Sequence, residues 1–156
     1  MTDALEVVMC DTVRRGSSSL HRWWAIPNKA GIIVRLFIAD ADQEVRVGLQ
    51  LRLHQEPGLL VVGIAIQAKG LVAQVELSQP DVLLLDWRLP GRPARELLAD
   101  LRALERRPKI IVLAVRPEVE SEAMAAGADA FVTKSASPDR LVAVLRQDWG
   151  RDEGGR

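Results

Sequence analysis

Five short apolar runs limit the folds open to this chain more than any other feature of its sequence. The runs are Ile32–Ala39, Leu59–Ile64, Val82–Leu85, Lys109–Val115 and Ala130–Val132. Runs of this length that are rich in Val, Ile and Leu are typical of strands buried on both faces of a parallel sheet. The pattern therefore predicts a parallel sheet of five strands.

The stretches between these runs carry helix signals. Pro57-Gly58 ends the first helical stretch and Pro80 ends the second, since proline and glycine stop helices. An alanine-rich helix is predicted over Glu118–Ala126, with Gly127 as its C-terminal cap. Ser137-Pro138-Asp139 has the residue types that open a helix. Alternating strands and helices predict an α/β fold with a doubly wound sheet and helices on both faces.

The composition excludes several classes of protein to which this chain could belong. The chain has 156 residues, enough for one domain with a real core, and its 21 Lys and Arg balance its 21 Asp and Glu. This neutral balance gives no electrostatic reason to expect nucleic-acid binding. The single cysteine, Cys10, cannot form an internal disulfide. No apolar run is long enough to cross a bilayer and no secretory signal is evident, so the cytoplasm is the expected location.

The chain divides into three parts by composition. Residues 1–30 lack a clean period and contain the adjacent pair Trp23-Trp24. This pair could form a docking patch or pack on the domain, or the segment could have no role; we expect a loosely ordered extension. Residues 31–147 form the predicted domain, and residues 148–156 form a polar tail.

Charged residues follow three of the five runs. The first run ends in Asp40-Ala41-Asp42, the third in Asp86 and the fifth leads to Lys134. In a sheet with strand order 2-1-3-4-5, these strand ends meet at one edge. Carboxylates gathered there repel each other, and a hard divalent cation or an ammonium group relieves that repulsion. Such a cluster permits in-line phosphoryl transfer to a carboxylate.

Each of these residues also has a simpler explanation. Asp40 and Asp86 could cap a turn or the following helix, and Lys134 could be an ordinary solvated lysine. Taken singly, each simple explanation is the better one. The joint spacing of all three is harder to explain by turns alone, because a motif gains value from its predicted context.

The chain from about Ile32 to Arg146 resembles the receiver domain of two-component response regulators. Four segments carry the resemblance. They are Leu36-Phe37-Ile38-Ala39-Asp40, Gln79-Pro80-Asp81-Val82-Leu83-Leu84-Leu85-Asp86, Leu89-Pro90-Gly91 and Ala126-Gly127-Ala128-Asp129-Ala130-Phe131-Val132-Thr133-Lys134. The sequences of these segments are most similar to those of receivers that precede a helix-turn-helix output domain. The resemblance implies a flavodoxin-like fold with strand order 2-1-3-4-5.

The resemblance also implies roles for five residues. Asp86 would be the phosphoacceptor, and Lys134 would contact the phosphoryl oxygens. Mg²⁺ would be held by Asp40, by Asp86 and by the backbone carbonyl of Arg88. Phe131 would be the switch aromatic. The phosphoryl donor would be a histidine kinase or a phosphotransfer protein, and the domain would be no enzyme beyond its own phosphoryl transfer and dephosphorylation.

Two departures from the family pattern surround these residues. The family usually has a second acid directly after the first, and here that position is Ala41; Asp42 could replace it only from the opposite side of the strand end. The family also has Thr or Ser where this chain has Ala114. Two interpretations stay open: a working receiver with weakened Mg²⁺ binding, or a stand-alone, partly degenerate receiver that binds proteins without phosphorylation.

The expected output is another protein, because few residues follow the last helix. The expected interaction surface contains Phe131, together with Val115, Pro117 and Val119 beyond the fourth strand. A homodimer through this face is a further option, and neither nucleic acid nor membrane is an expected partner. A hydrolase or kinase is disfavoured because the sequence has no nucleophile elbow and no phosphate-binding glycine loop.

Overall fold

The computed structural model describes residues 33 to 149, with side chains described through Arg146. Its parallel sheet has the order β2-β1-β3-β4-β5, as predicted. The strands are β1 (Val34–Ala39), β2 (Leu59–Ala65), β3 (Val82–Asp86), β4 (Lys109–Ala114) and β5 (Ala130–Thr133). Residues 1–30 and nearly all of the predicted tail lie outside the described residues, so the predicted division of the chain stays a prediction.

Helices cover both faces of this sheet. They are α1 (Gln43–His54), α2 (Leu71–Ser78), α3 (Ala94–Arg102), α4 (Glu120–Ala125) and α5 (Pro138–Trp149). Helices α1 and α5 pack on one face, where Leu36 and Ile38 of β1 point. Helices α2, α3 and α4 pack on the other face, where Phe37 and Ala39 point. Side chains of a strand alternate between faces, so one continuous apolar run supplies both halves of the core.

The predicted helix over Glu118–Ala126 is wrong in its bounds. A 3-10 turn over Pro117–Val119 comes first, and α4 follows only from Glu120 to Ala125. Pro117 has no backbone N–H and suits the first position of such a turn. The glycine predicted to end the helix does so, because Gly127 has φ +111°, which other residues rarely adopt. Within the described residues no helix has the length and apolar character needed to cross a membrane.

An irregularity in the pairing of β1 with the edge strand β2 was not predicted. Leu36 pairs with Val61, whereas the next residue, Phe37, pairs with Gly63. A Cβ atom added to Gly63 would lie 2.4 Å from Cε2 of Phe37. The Phe37 ring therefore occupies the space above Gly63, and the absence of a side chain there is what lets the ring pack into the core.

A network of charged side chains joins α1 to α5. Arg52, near the end of α1, contacts Glu56 at 2.6 Å and Asp139, in the first turn of α5, at 2.7 Å. Arg146, in the last part of α5, also pairs with Glu56. Hydrogen bonds from Arg146 and Arg52 lower the pKa of Glu56 below its ordinary value. Two points along α5 are thus joined to residues at, or just after, the end of α1.

Gly48, in the interior of α1, has none of the crowding found at Gly63. A Cβ atom there would meet nothing within 4 Å. Glycine in a helix is disfavoured by about 0.5–1 kcal/mol relative to alanine. We expect Gly48→Ala to raise the free energy of unfolding by roughly that amount, measured by urea denaturation. A lower free energy of unfolding would show that the backbone at residue 48 needs glycine.

Candidate functional site

Three strand ends bring two carboxylates and an ammonium group together. Asp40 directly follows β1, Asp86 is the last residue of β3 and Lys134 directly follows β5. Lys134 Nζ lies 2.7 Å from Asp40 Oδ2 and 3.2 Å from Asp86 Oδ1. The lysine therefore bridges the two carboxylates that the sequence placed at this edge of the sheet.

Burial makes this ion cluster strongly dependent on its internal contacts. The Asp40 side chain is 0% exposed and that of Lys134 is 12% exposed. Asp40 Oδ1 accepts a hydrogen bond from the Asp42 N–H at 2.8 Å, and Asp86 Oδ1 accepts one from the Arg88 N–H at 3.0 Å. Charges removed from water are tolerated when they are paired and hydrogen-bonded in this way.

The pKa values of two cluster members shift in the directions that this geometry dictates. Burial raises the pKa of Asp40 above its ordinary value, and the hydrogen bond from Lys134 only partly opposes that rise. Burial also works to lower the pKa of Lys134, but its hydrogen bond to Asp40 and the charges of both carboxylates raise it overall. Lys134 is therefore a permanent cation at neutral pH.

The loop after β1 is fixed by contacts that the sequence did not reveal. Asp42 is the N-cap of α1, and its Oδ1 accepts hydrogen bonds from the N–H groups of Glu44 and Val45. Arg46, one turn into α1, reaches back with Nη1 to the carbonyl oxygens of Asp40 and Ala41, at 2.9 and 2.8 Å. An acid just before a helix is a recognisable cap signal; no sequence signal points to the contact of Arg46.

A pocket of about 620 Å³ opens beside Asp86. Six of its lining residues are Ala41, Asp86, Trp87, Arg88, Ala114 and Arg116. Ala114, which we predict to occupy the position of the family's Thr or Ser, is buried at the end of β4. Phe131 is partly buried against the core on the α2, α3 and α4 face and is not among the described lining residues of this pocket.

Comparison with known proteins agrees with this fold. A sequence model of the response regulator receiver domain matches residues 36–146. The chain belongs to that family. Among curated relatives, the DNA-binding transcriptional activator DevR/DosR of Mycobacterium tuberculosis is 38% identical over 118 residues. The nitrate/nitrite response regulator NarL of Escherichia coli K12 is 29% identical over 114 residues.

The match covers only part of the length of those relatives, but nearly the whole length of some solved structures. It covers 73% of this chain and 54% of DevR/DosR, and 72% of this chain and 53% of NarL. The chain thus spans about half the length of the curated relatives it matches. The receiver domain of a putative NarL from Mycobacterium tuberculosis superimposes with a TM-score of 0.69 at 28% identity, covering 77% of this chain and 99% of that one.

Receiver domains typically bind Mg²⁺, so the receiver's side chains can be tested against the needs of that ion. Mg²⁺ requires near-octahedral oxygen ligands and usually takes one or two carboxylates plus water. Without the Lys134 ammonium, the buried Oδ2 of Asp40 would have no polar partner. Among residues 33–146, no group of three or more acidic, His or Cys side chains could hold a metal ion. Asp40 and Asp86 supply two carboxylates, but Lys134 contacts both of them and Ala41 adds no third carboxylate, so these side chains fit the ion poorly.

Proposed function

We propose that this receiver accepts a phosphoryl group on Asp86 from a histidine kinase or a phosphotransfer protein, and signals through contact with another protein. One observation carries the proposal: Lys134 contacts the Asp86 carboxylate at the edge of a pocket large enough for a phosphoryl group. An ammonium in that position can form charge-assisted hydrogen bonds to phosphoryl oxygens.

The geometry suggests which oxygen reacts. Both described contacts to the Asp86 carboxylate, from Lys134 and from the Arg88 N–H, are made to Oδ1, so we expect Oδ2 to attack phosphorus. An O–P bond then forms to Asp86 while the P–N bond to the donor imidazole breaks. The imidazole nitrogen keeps the electron pair of the broken bond and takes up a proton. Positioning and charge stabilisation supply most of the catalysis in such transfers.

Under this proposal, the only group of the domain that reacts is the Asp86 carboxylate. Transfer to Asp86 and hydrolysis of the resulting acyl phosphate are the two reactions expected, without turnover of a separate substrate. The output would pass through the surface around Phe131, which is partly buried on β5, and Val115, which is 68% exposed. A downstream protein or a second copy of the chain could bind that surface.

A second function is favoured by one specific observation. Ala114 has no hydroxyl with which to bind a phosphoryl group and couple it to the rest of β4. A receiver without that link could bind its partner in one state whether or not Asp86 carries phosphate. This alternative is a protein-interaction module that acts independently of phosphorylation.

Phosphorylation of Asp86 is tested by mass. The full chain is incubated with phosphoramidate and with acetyl phosphate in the presence of MgCl₂, and the intact mass is recorded. We expect the wild-type protein to gain one phosphoryl group and the Asp86→Asn variant to gain none, since an amide is a poor nucleophile. If the wild-type protein stays unlabelled while a receiver with the complete acid pair is labelled in parallel, the domain is the phosphorylation-independent module instead.

A further inference from the structure

We infer that this site works without a divalent cation, and that side chains of the receiver itself supply the positive charge between Asp40 and Asp86. The inference concerns the same site as the proposed function. It does not depend on phosphorylation, because binding of Mg²⁺ is measured on the unmodified protein. It rests on the oxygens around Asp40 and Asp86 and on what already contacts each of them.

The carboxylate oxygens are largely engaged. Asp40 Oδ1 accepts from the Asp42 N–H, and Asp40 Oδ2 contacts Lys134 Nζ at 2.7 Å. Asp86 Oδ1 contacts the same ammonium and accepts from the Arg88 N–H. Three of the four oxygens on these two carboxylates therefore have partners, and a metal ion would have to displace Lys134 to reach Asp40 Oδ2.

In the loop after β1, Asp42 lines the pocket, but its carboxylate is already committed to the next helix. Ala41 has no side-chain oxygen. The Asp42 carboxylate caps α1 through Oδ1, and turning it toward a metal would break both of its hydrogen bonds to the helix N-terminus. The backbone oxygens of Asp40 and Ala41 both accept from Arg46 Nη1. A guanidinium thus holds the carbonyl groups beside the position of the missing acid.

The charges of the pocket balance without an added ion. Four carboxylates and four basic side chains lie in or beside the pocket: Asp40, Asp42, Asp86 and Glu118, and Arg46, Arg88, Arg116 and Lys134. Glu118 belongs to this count because it contacts Arg116 at 3.7 Å. A divalent cation would add positive charge to a site already neutral, at the cost of desolvating a strongly hydrated ion. A phosphoryl oxyanion that enters the pocket would instead meet the side chains of Lys134 and Arg88, to which its oxygens can form charge-assisted hydrogen bonds.

The test adds back the missing carboxylate. The full chain and the variants Ala41→Asp and Ala41→Asn are titrated with MgCl₂ by calorimetry. Each melting temperature is also compared in excess MgCl₂ and in NaCl of equal ionic strength. We expect the wild type and Ala41→Asn to show no saturable heat and no shift specific to Mg²⁺. Ala41→Asp should show saturable binding, at least roughly tenfold tighter than the weakest affinity that the titration can detect, the scale on which ligand-shell changes act.

Because each protein is compared with itself in the two salts, a change in overall stability in Ala41→Asp does not obscure the result. Saturable binding of Mg²⁺ by the wild type that is lost in Asp40→Asn would overturn the inference. Failure of Ala41→Asp to gain binding would also overturn it, since Ala41 would then not be the missing ligand.

Labelling with phosphoramidate in EDTA separates this inference from the proposed function. We expect the same phosphoryl mass on Asp86 in EDTA as in MgCl₂, because the chain's own cations hold the oxyanion. Labelling that requires Mg²⁺ would contradict the inference. If the protein is labelled neither in EDTA nor in MgCl₂, only the proposed function is contradicted. The calorimetric result then still decides whether the site binds a metal ion.

Discussion

Replacing Lys134 by methionine is expected to lower the free energy of unfolding by about 3 kcal/mol, the usual size of the effect when one member of a buried ion pair is removed. The loss follows from the fully buried Asp40 carboxylate, whose Oδ2 would be left without a polar partner. Methionine keeps the length of the lysine stem, so packing changes little. Urea denaturation of both proteins at neutral pH measures the difference.

A double variant distinguishes loss of charge pairing from a general packing defect. Lys134→Met combined with Asp40→Asn leaves no charge at residue 40 and should recover part of the lost stability. If the double variant is less stable than Lys134→Met alone, the stability lost in Lys134→Met did not come from an unpaired Asp40 carboxylate.

The pH dependence of the same variant follows from the pKa shifts. The raised pKa of Asp40 means that the fold favours its protonated form, so its ionisation costs stability as pH rises through that value. The deficit of Lys134→Met relative to wild type should therefore shrink as pH falls toward 3.8, the ordinary pKa of Asp40. The raised pKa of Lys134 keeps the wild-type contribution present up to pH 10.5, the lysine's ordinary pKa, and it is lost only above that.

A second large effect is expected at the edge of the sheet. Gly63→Ala should lower the free energy of unfolding by roughly 1–3 kcal/mol, the range for overpacked cores. Its Cβ would lie 2.4 Å from the Phe37 ring, which is only 2% exposed and has core neighbours on its other sides. Urea denaturation again gives the measurement.

The chain provides matched controls for this prediction. Gly48→Ala makes the same chemical change where nothing stands within 4 Å, and should act in the opposite direction. Gly63→Ala combined with Phe37→Leu removes the ring and should lose less stability than the sum of the two single variants. Full additivity would show that the cost of alanine at residue 63 arises from the backbone and not from the ring.

The sheet could be predicted from sequence because its signal is redundant. Each buried strand, such as β3 with its run Val82-Leu83-Leu84-Leu85, is apolar on both faces, and the strand order follows from the family resemblance. Bounds were less predictable: Asp86 and Thr133 belong to strands because backbone pairing continues past the last apolar residue. The spacing of apolar residues indicates which positions are buried, but it carries no information about backbone hydrogen bonds.

The clustering of three charged residues could be predicted from sequence, but their contacts could not. Strand ends place Asp40, Asp86 and Lys134 at one edge of the sheet. That the ammonium contacts both carboxylates depends on side-chain rotamers, which spacing does not specify. The contact of Arg46 with the carbonyls of Asp40 and Ala41 likewise arises from where α1 begins, and no motif encodes it.

The contacts of Arg52 and Glu56 with α5 restrict how this domain can move. Asp139 lies in the first turn of α5 and Arg146 in its last part, so the helix is held at two points along its length. Tilting or sliding α5 would break at least one of these charged contacts. A polypeptide joined after α5 would therefore be linked through these charged contacts to the end of α1, on the face of the sheet that α1 and α5 share.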